Sequence, residues 1–270
     1  MDDSYASQGT PVAYTPWRFA LADTFVHRVL VTGSNGAIGQ PVCLSLLARG
    51  HQVRGFDRVA FADLPDSRVG DLADAAALRR AMEGMDTVIH LAASPVPWAD
   101  FMTEILPNNI VATFNVFDLA RALKLRRVIF ASSLQVGNRL GTADRLGTTA
   151  DPVSPSNHYG LSKVYGEAMG EMYARGHGLD VIAVRLGFLP RAPMFVERLL
   201  QGDGQNIYIS PGDCGRFFAA AVEVDLPEKF LVFHAIGKAE RPRYDIDPAR
   251  RILGYEPRDR WPAGMAFPKT

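Results

Sequence analysis

The sequence predicts an α/β fold, a doubly wound parallel sheet completed by a small C-terminal lobe. Three observations carry that expectation. Short Val- and Ile-rich runs alternate with longer helical patterns from His27 onward, a glycine-rich turn follows the first of those runs, and the composition suits one large domain or two small ones. Of the 270 residues, 47% are hydrophobic and 21% charged, enough for a sizeable core and unlike a disordered chain. The 29 basic side chains balance 29 acidic ones. Zero formal charge offers no field to collect a polyanion, so neither nucleic acid nor an anionic membrane surface is expected as a partner.

Residues 1–25 mix Gly, Pro, Ser and Thr with scattered aromatics, show no period, and read as a flexible or surface-draped N-terminal extension. They lack the positive and apolar regions of an export signal. No stretch approaches the roughly 18 consecutive apolar residues of a membrane span. Cys43 and Cys214 sit in no metal-ligand or disulfide spacing, so no metal is expected and a reducing cytoplasm is the expected home. Strands are expected at 27–32 (HRVLVT), 52–57 (QVRGFD), 87–91 (TVIHL), 127–131 (RVIFA) and 180–185 (DVIAVR). Helices are expected at 37–50, ending in Gly50, at 73–84, at 107–124, and at 157–176, ending near Gly176. Alternation of this kind places ligands at the carboxyl ends of the strands. Residues 26–187 would form the nucleotide-binding domain with the catalytic residues, and 188–270 a small substrate lobe with closing elements.

After the strand VLV come Thr32-Gly33-Ser34-Asn35-Gly36-Ala37-Ile38-Gly39 and then a helix. In that setting the three glycines have separate tasks: a tight turn, a backbone that touches a pyrophosphate, and close packing of helix on strand in a Rossmann sheet. The helix N-terminus offers free N–H groups to the phosphates. A glycine turn that binds nothing is the competing reading. Asp57 ends the second strand 18 residues beyond Gly39, where a carboxylate would accept the adenosine ribose hydroxyls and repel a 2′-phosphate. NAD is therefore favoured over NADP, although Arg54 and Arg58 nearby are of the type that accommodates that phosphate. Asp71, in Gly70-Asp71-Leu72, either faces the adenine or caps a turn.

Tyr159-Gly160-Leu161-Ser162-Lys163 puts a phenol and an ammonium on one face of a helix. A tyrosine with a pKa near 10 is a poor base at neutral pH, and a nearby lysine cation favours the phenolate. Ser132-Ser133 ends the fourth expected strand, 26 residues upstream of Tyr159, and supplies a hydroxyl for a substrate alcohol or the carbonyl it becomes.

TGSNGAIG, Asp57, VIHLAA, NNIVATFNV, FASS and YGLSK, in that order, resemble the extended short-chain dehydrogenase/reductase superfamily, the NAD-dependent epimerase/dehydratase family, over about residues 27–258. The late DPARRILGYEPRDRWP is similar to that family's terminal helix. The resemblance implies Tyr159 as acid/base, Lys163 on the nicotinamide ribose, and Ser133 on the reacting oxygen. It implies Gly33, Gly36, Ala37, Ile38, Gly39, Asp57 and Arg58 around the dinucleotide, with Asp71 and Leu72 flanking the adenine. Leu91, Ala92 and Ala93 would line the cofactor cleft, with Asn109 on the helix beneath it as an anchor or proton relay. It also implies a homodimer through the helices at 107–124 and 157–176. Within the family, VIFASS, YGLSKVYGE, VRLG and YISPGDCGRF look like the short uronate dehydrogenases, which oxidise the anomeric carbon of a hexuronic acid with NAD. Two departures border the substrate: Leu134-Gln135 stands where that group tends to carry Asn-His, and the loop after Gly187 is longer.

The 238 residues from Gly33 to Thr270 leave room only for a short lobe, which points to a small polar substrate rather than a nucleotide sugar. Ser94, Ser133, Gln135, His158, Arg191 and Arg198 are the expected substrate contacts, the arginines as forks for a carboxylate. The bland readings are solvated arginines and a His158 that caps its helix. Asp213 reads as a helix start, and Cys43 as core. Three functions follow. A dehydrogenase would transfer hydride from a small sugar or sugar acid to NAD. An epimerase or isomerase would return the hydride and retain NAD. A non-catalytic NAD-binding regulator would not need Ser133, Tyr159 and Lys163.

Overall fold

The computed structural model describes residues 25–137, 145–191, 196, 199 and 204–262. Seven strands form one all-parallel sheet in the order β3-β2-β1-β4-β5-β6-β7. They are β1 (Arg28–Thr32), β2 (Gln52–Asp57), β3 (Asp66–Val69), β4 (Thr87–His90), β5 (Arg127–Ser133), β6 (Asp180–Leu186) and β7 (Phe230–Ala235). The five expected strands are all present. β3 adds a polar edge, DSRV, which has no apolar run to announce it. β7 pairs with β6, so part of the segment expected as a small substrate lobe with closing elements lies in the sheet.

Strand alternation divides the core. Val29, Val31, Ile129, Ala131, Ile182 and Val184 face one side, where they meet α1 (Gly39–Ala48) and α5 (Pro211–Glu223). Leu30, Val128, Phe130, Val181 and Ala183 face the other, under α2 (Ala75–Met82), α3 (Ala112–Ala122) and α4 (His158–His177). A short α6 (Asp247–Leu253) closes the first layer, burying Ala249 and Leu253. Local chemistry sets the ends. Asp74 accepts the N–H groups of Ala76 and Ala77 at the start of α2, and Asn157 that of Gly160 at the start of α4, which ends on left-handed Gly178.

The helix expected from 107 starts earlier. Phe101–Val111 winds as a wide π-helical segment that runs directly into α3, with Asp100 accepting the Thr103 N–H at 2.8 Å. Pro107 lies inside it rather than at its start; the wider winding accommodates a ring that would collide with a carbonyl of an α-helix. Asp213 belongs to the first turn of α5, as expected. Its buried carboxylate accepts the N–H groups of Arg258 and Asp259, holding the last described segment against the body. Both cysteines are buried, and burial pushes the Cys43 thiol up to about 12. Among the described residues no helix is long and apolar enough to cross a membrane.

Glycines on α4 test the packing. A Cβ on Gly166 would lie 2.2 Å from the Phe130 ring, so Gly166→Ala should destabilise the fold by about 1–3 kcal/mol. Gly176→Ala, with nothing within 4 Å of the new Cβ, should stabilise it by up to about 1 kcal/mol. Urea denaturation of the two variants checks the order.

Candidate active site

Because every strand is parallel, Gly33, Asp57, Leu91 and Ser133 emerge along one edge of the sheet. A cavity of about 1000 Å³ runs along it. It passes the gap between β1 and β4, where the winding reverses.

One end is built by the β1–α1 turn. Gly33 has φ +71° and donates to the Phe56 carbonyl at 2.9 Å, and Gly36 donates to the Gly33 carbonyl at 3.0 Å. A Cβ on Gly39 would come within 2.0 Å of the Gly33 carbonyl oxygen, and one on Gly33 within 2.8 Å of the Ala92 nitrogen. Only glycines let turn, helix and β4 loop approach this closely. Ile38, the residue that precedes α1, offers no capping side chain, and the first turn holds no acidic residue. Gln40 N–H donates to the Gly36 carbonyl at 3.0 Å and Pro41 has none, so the N–H groups placed to meet an anion are those of Ala37, Ile38 and Gly39, which line the cavity. This cradle fits the pyrophosphate of a dinucleotide.

Asp57 borders the same cavity, its two oxygens accepting the N–H groups of Asn35 at 3.1 Å and Val59 at 3.2 Å. The two neighbouring arginines differ. Arg54 is turned away, bonded to Asp66 and to the carbonyls of Ala81 and Glu83. Arg58 lines the cavity but is held by Asp71 at 3.1 Å and by Asn108. Asp71 also accepts the Ala73 N–H at 2.9 Å, so it is a turn residue that faces the cleft. Leu72, Leu91, Ala92 and Ala93 complete this wall.

At the other end β5 delivers Ser133 and α4 delivers Tyr159 and Lys163. Ser133 Oγ accepts the Gln135 N–H at 3.1 Å. Burial raises the Tyr159 phenol above its ordinary value, opposed by its hydrogen bond with Ser133 and by the Arg191 charge. Lys163 is buried, its Nζ 5.0 Å from the centre of the Phe130 ring and 5.5 Å from that of Tyr159. Burial alone pushes its ammonium down to about 7. Phe130 reaches it because Gly166 has no side chain in the way.

The expected substrate contacts divide. Ser94, Gln135 and Arg191 line the cavity. Arg191 comes from the loop after β6 and donates across the cleft to the Pro95 carbonyl at 3.3 Å. His158 does not line it. Its exposed ring lies 5.1 Å from Phe101 and borders a separate shallow hollow with Pro97, Trp98 and Leu161, because adjacent helix residues point about 100° apart. Nor does it cap α4, since Asn157 does. Arg198 lies outside the described residues.

Asn109 is likewise absent from the wall. Its amide clamps Ser94, accepting the Ser94 N–H at 2.7 Å and donating to the Ser94 carbonyl at 3.0 Å. It also donates to Ser162 Oγ at 3.0 Å, which bonds the Tyr159 carbonyl. It positions both sides of the site and touches no ligand space. Cleft residues missed in the sequence are Glu104, whose carboxylate accepts from Ser94 Oγ at 3.0 Å, and Asn108, Trp98 and Tyr244. Glu104 and Asn108 were masked by Pro107, which read as a helix start. Tyr244 arrives from the far end of the chain with no motif around it.

Comparison with known proteins places the chain among its relatives. The family model described as "NAD dependent epimerase/dehydratase family" matches residues 29–190. An L-arabinose 1-dehydrogenase (NAD(P)(+)) of Haloferax volcanii is 36% identical over 250 residues, covering 86% of this chain and 96% of that one. An NAD-dependent glucose-6-phosphate dehydrogenase of the same organism is 35% identical over 252 residues, covering 86% and 93%. A crystal structure of a uronate dehydrogenase mutant from Agrobacterium tumefaciens, complexed with NAD, superposes with a TM-score of 0.72 at 25% identity, covering 87% of this chain and 85% of that one. With the glycine cradle and the ordered motifs already placed on one cavity, the match over residues 29–190 establishes that this chain belongs to the NAD dependent epimerase/dehydratase family.

Proposed function

We propose that this protein is an NAD-dependent dehydrogenase that oxidises a small sugar or sugar acid. The observation that carries the reading is the convergence of Ser133, Tyr159 and Lys163 at one end of a cavity whose other end is the glycine cradle and Asp57. When bound, NAD supplies the hydride acceptor. The chain's own groups do the rest. The uncapped start of α1 and the glycine turn hold the pyrophosphate, and Asp57 accepts the ribose hydroxyls. Arg58, fixed by Asp71 and Asn108, would stand beside the adenine end.

Ser133 Oγ donates to the reacting oxygen, and the Tyr159 phenolate takes the proton of the substrate hydroxyl. Lys163 and Arg191 offset the cost of ionising a buried phenol. Arg191, Gln135 and Ser94 would grip the polar periphery of the sugar, an acidic one through Arg191. Residues from 188 onward close this end through Phe188, Leu189, Ile207 and Tyr244. The dehydrogenase names of the relatives in Haloferax volcanii support net oxidation over an epimerase cycle. Formation of NADH from a panel of aldoses and uronates tests the reading directly; no NADH from any of them would sink it.

The expected homodimer fits exposed apolar side chains on and beside α3 and α4, Val111, Phe114, Leu161 and Met172. Such a dimer would work in the cytoplasm.

Three outcomes follow from this reading. Tyr159→Phe should lower turnover by about 10²–10⁴-fold while calorimetric NAD binding is kept; near-normal turnover would remove Tyr159 from the chemistry. Asp57→Ala should weaken NAD by about ten- to a hundredfold, the worth of hydrogen bonds to a charged group, and narrow the preference over NADP. In sedimentation at micromolar concentration the parent should run as a dimer, and Phe114→Glu with Leu161→Glu should run as a monomer.

A further inference from the structure

Two turns beyond Tyr159 on α4, and one beyond Lys163, stands Glu167. Lys163 and Glu167 both belong to the buried face of the helix. An ammonium and a carboxylate at this spacing are within pairing reach, and in a buried setting each needs a counter-charge. They do not pair here. Both Glu167 oxygens are taken: Oε1 accepts from Ser132 Oγ at 2.6 Å and from Arg185 Nε at 2.9 Å, and Oε2 accepts from Arg185 Nη2 at 2.8 Å. Arg185 and Ser132 are register partners on β6 and β5, so the sheet itself aims the guanidinium fork and the hydroxyl at one carboxylate. All three residues are buried. Lys163 is left with two aromatic rings.

We propose that Arg185 is a positioning residue: together with Ser132 it engages both oxygens of Glu167, withholds that carboxylate from Lys163, and so reserves the ammonium for the reacting phenol. The inference rests on the Tyr159 and Lys163 chemistry proposed above.

The surrounding charges leave Glu167 as the group in play. On β4, His90 feels Lys163 and is pushed down to about 3 by burial, so it stays neutral. Glu104, from the segment packed on α4, is engaged by Ser94. Arg191 adds positive charge near the phenol. Around Arg185, burial pushes His234 on β7 down to about 4, with Asp245 and Asp151 opposing, and Tyr244 remains a neutral phenol. Deleting the Arg185 charge would leave a buried carboxylate whose nearest cation on its own helix face is Lys163.

The test needs no substrate. The full chain has five lysines, and the Cε resonance of Lys163 can be followed by carbon-13 NMR titration, assigned by its loss in Lys163→Met. Arg185→Met should raise the Lys163 titration by about one unit or more. Arg185→Met combined with Glu167→Gln should return it to within about half a unit of the parent. A Lys163 titration unmoved by Arg185→Met would overturn the proposal, as would a double variant that stays shifted. Should Arg185→Met fail to fold, Glu167→Gln alone must leave Lys163 at or below the parent value, and a rise would contradict the account. In the NADH assay the acid limb of the pH profile should move upward with Arg185→Met and recover in the double variant; a purely structural role would lower activity equally at every pH. If the parent forms no NADH, the dehydrogenase reading fails, while the NMR titration still decides the Lys163–Glu167 coupling.

Discussion

The close approach of α1 to the end of β1 is the constraint on which the rest depends. Gly39 lies so near the Gly33 carbonyl that no side chain fits between them, and the same turn abuts Ala92 after β4. That contact brings an uncapped helix N-terminus to the point where the sheet's winding reverses. It leaves a floor of backbone N–H groups suited to an anion between β1 and β4. The parallel register does the remaining positioning, because the central strands end along this edge and bring residues to the same cavity: Asp57 at the end of β2, Leu91 and Ala92 just after β4, and Ser133 at the end of β5.

The end of the cavity that holds Tyr159 and Lys163 is governed by charge and burial. Burial opposes ionisation of both Tyr159 and Lys163, raising the phenol and pushing the ammonium down to about 7. A phenolate forms there only if positive charge stays close and uncommitted. Glu167 lies on the same helix face as Lys163 and is paired with Arg185 of β6, and in a low dielectric such a buried pair is costly unless its hydrogen bonds are complete. Here Ser132 completes them. The amide of Asn109 serves geometry instead, tying the loop at Ser94 to the first turn of α4.

What could be read from the sequence was what local patterns encode. The glycine turn, the strand-end Asp57 and the Tyr159/Lys163 spacing are each contained in a few residues whose geometry follows from one element. β3 was hidden because an edge strand reading DSRV buries little. β7 has an apolar run, FLVFHA, but its return to the sheet after a long excursion is a tertiary fact. Adjacency in sequence groups His158 with Tyr159, whereas neighbours on a helix face different directions. Asn109 is expected beneath the cleft as an anchor or a relay, and its side-chain amide is spent on Ser94 and Ser162, contacts that no local pattern specifies. The Arg185–Glu167 pair joins residues 18 apart on different elements, and no local motif announces it.

Net oxidation is the central claim, and the fate of the nucleotide tests it most directly. The purified protein can be denatured and the released nucleotide measured, then native protein supplied with NAD and each sugar of the panel. The account predicts a site that exchanges NAD freely and accumulates one NADH for each sugar oxidised. Near-stoichiometric NAD retained through purification, with sugar converted and no NADH accumulating, would contradict it.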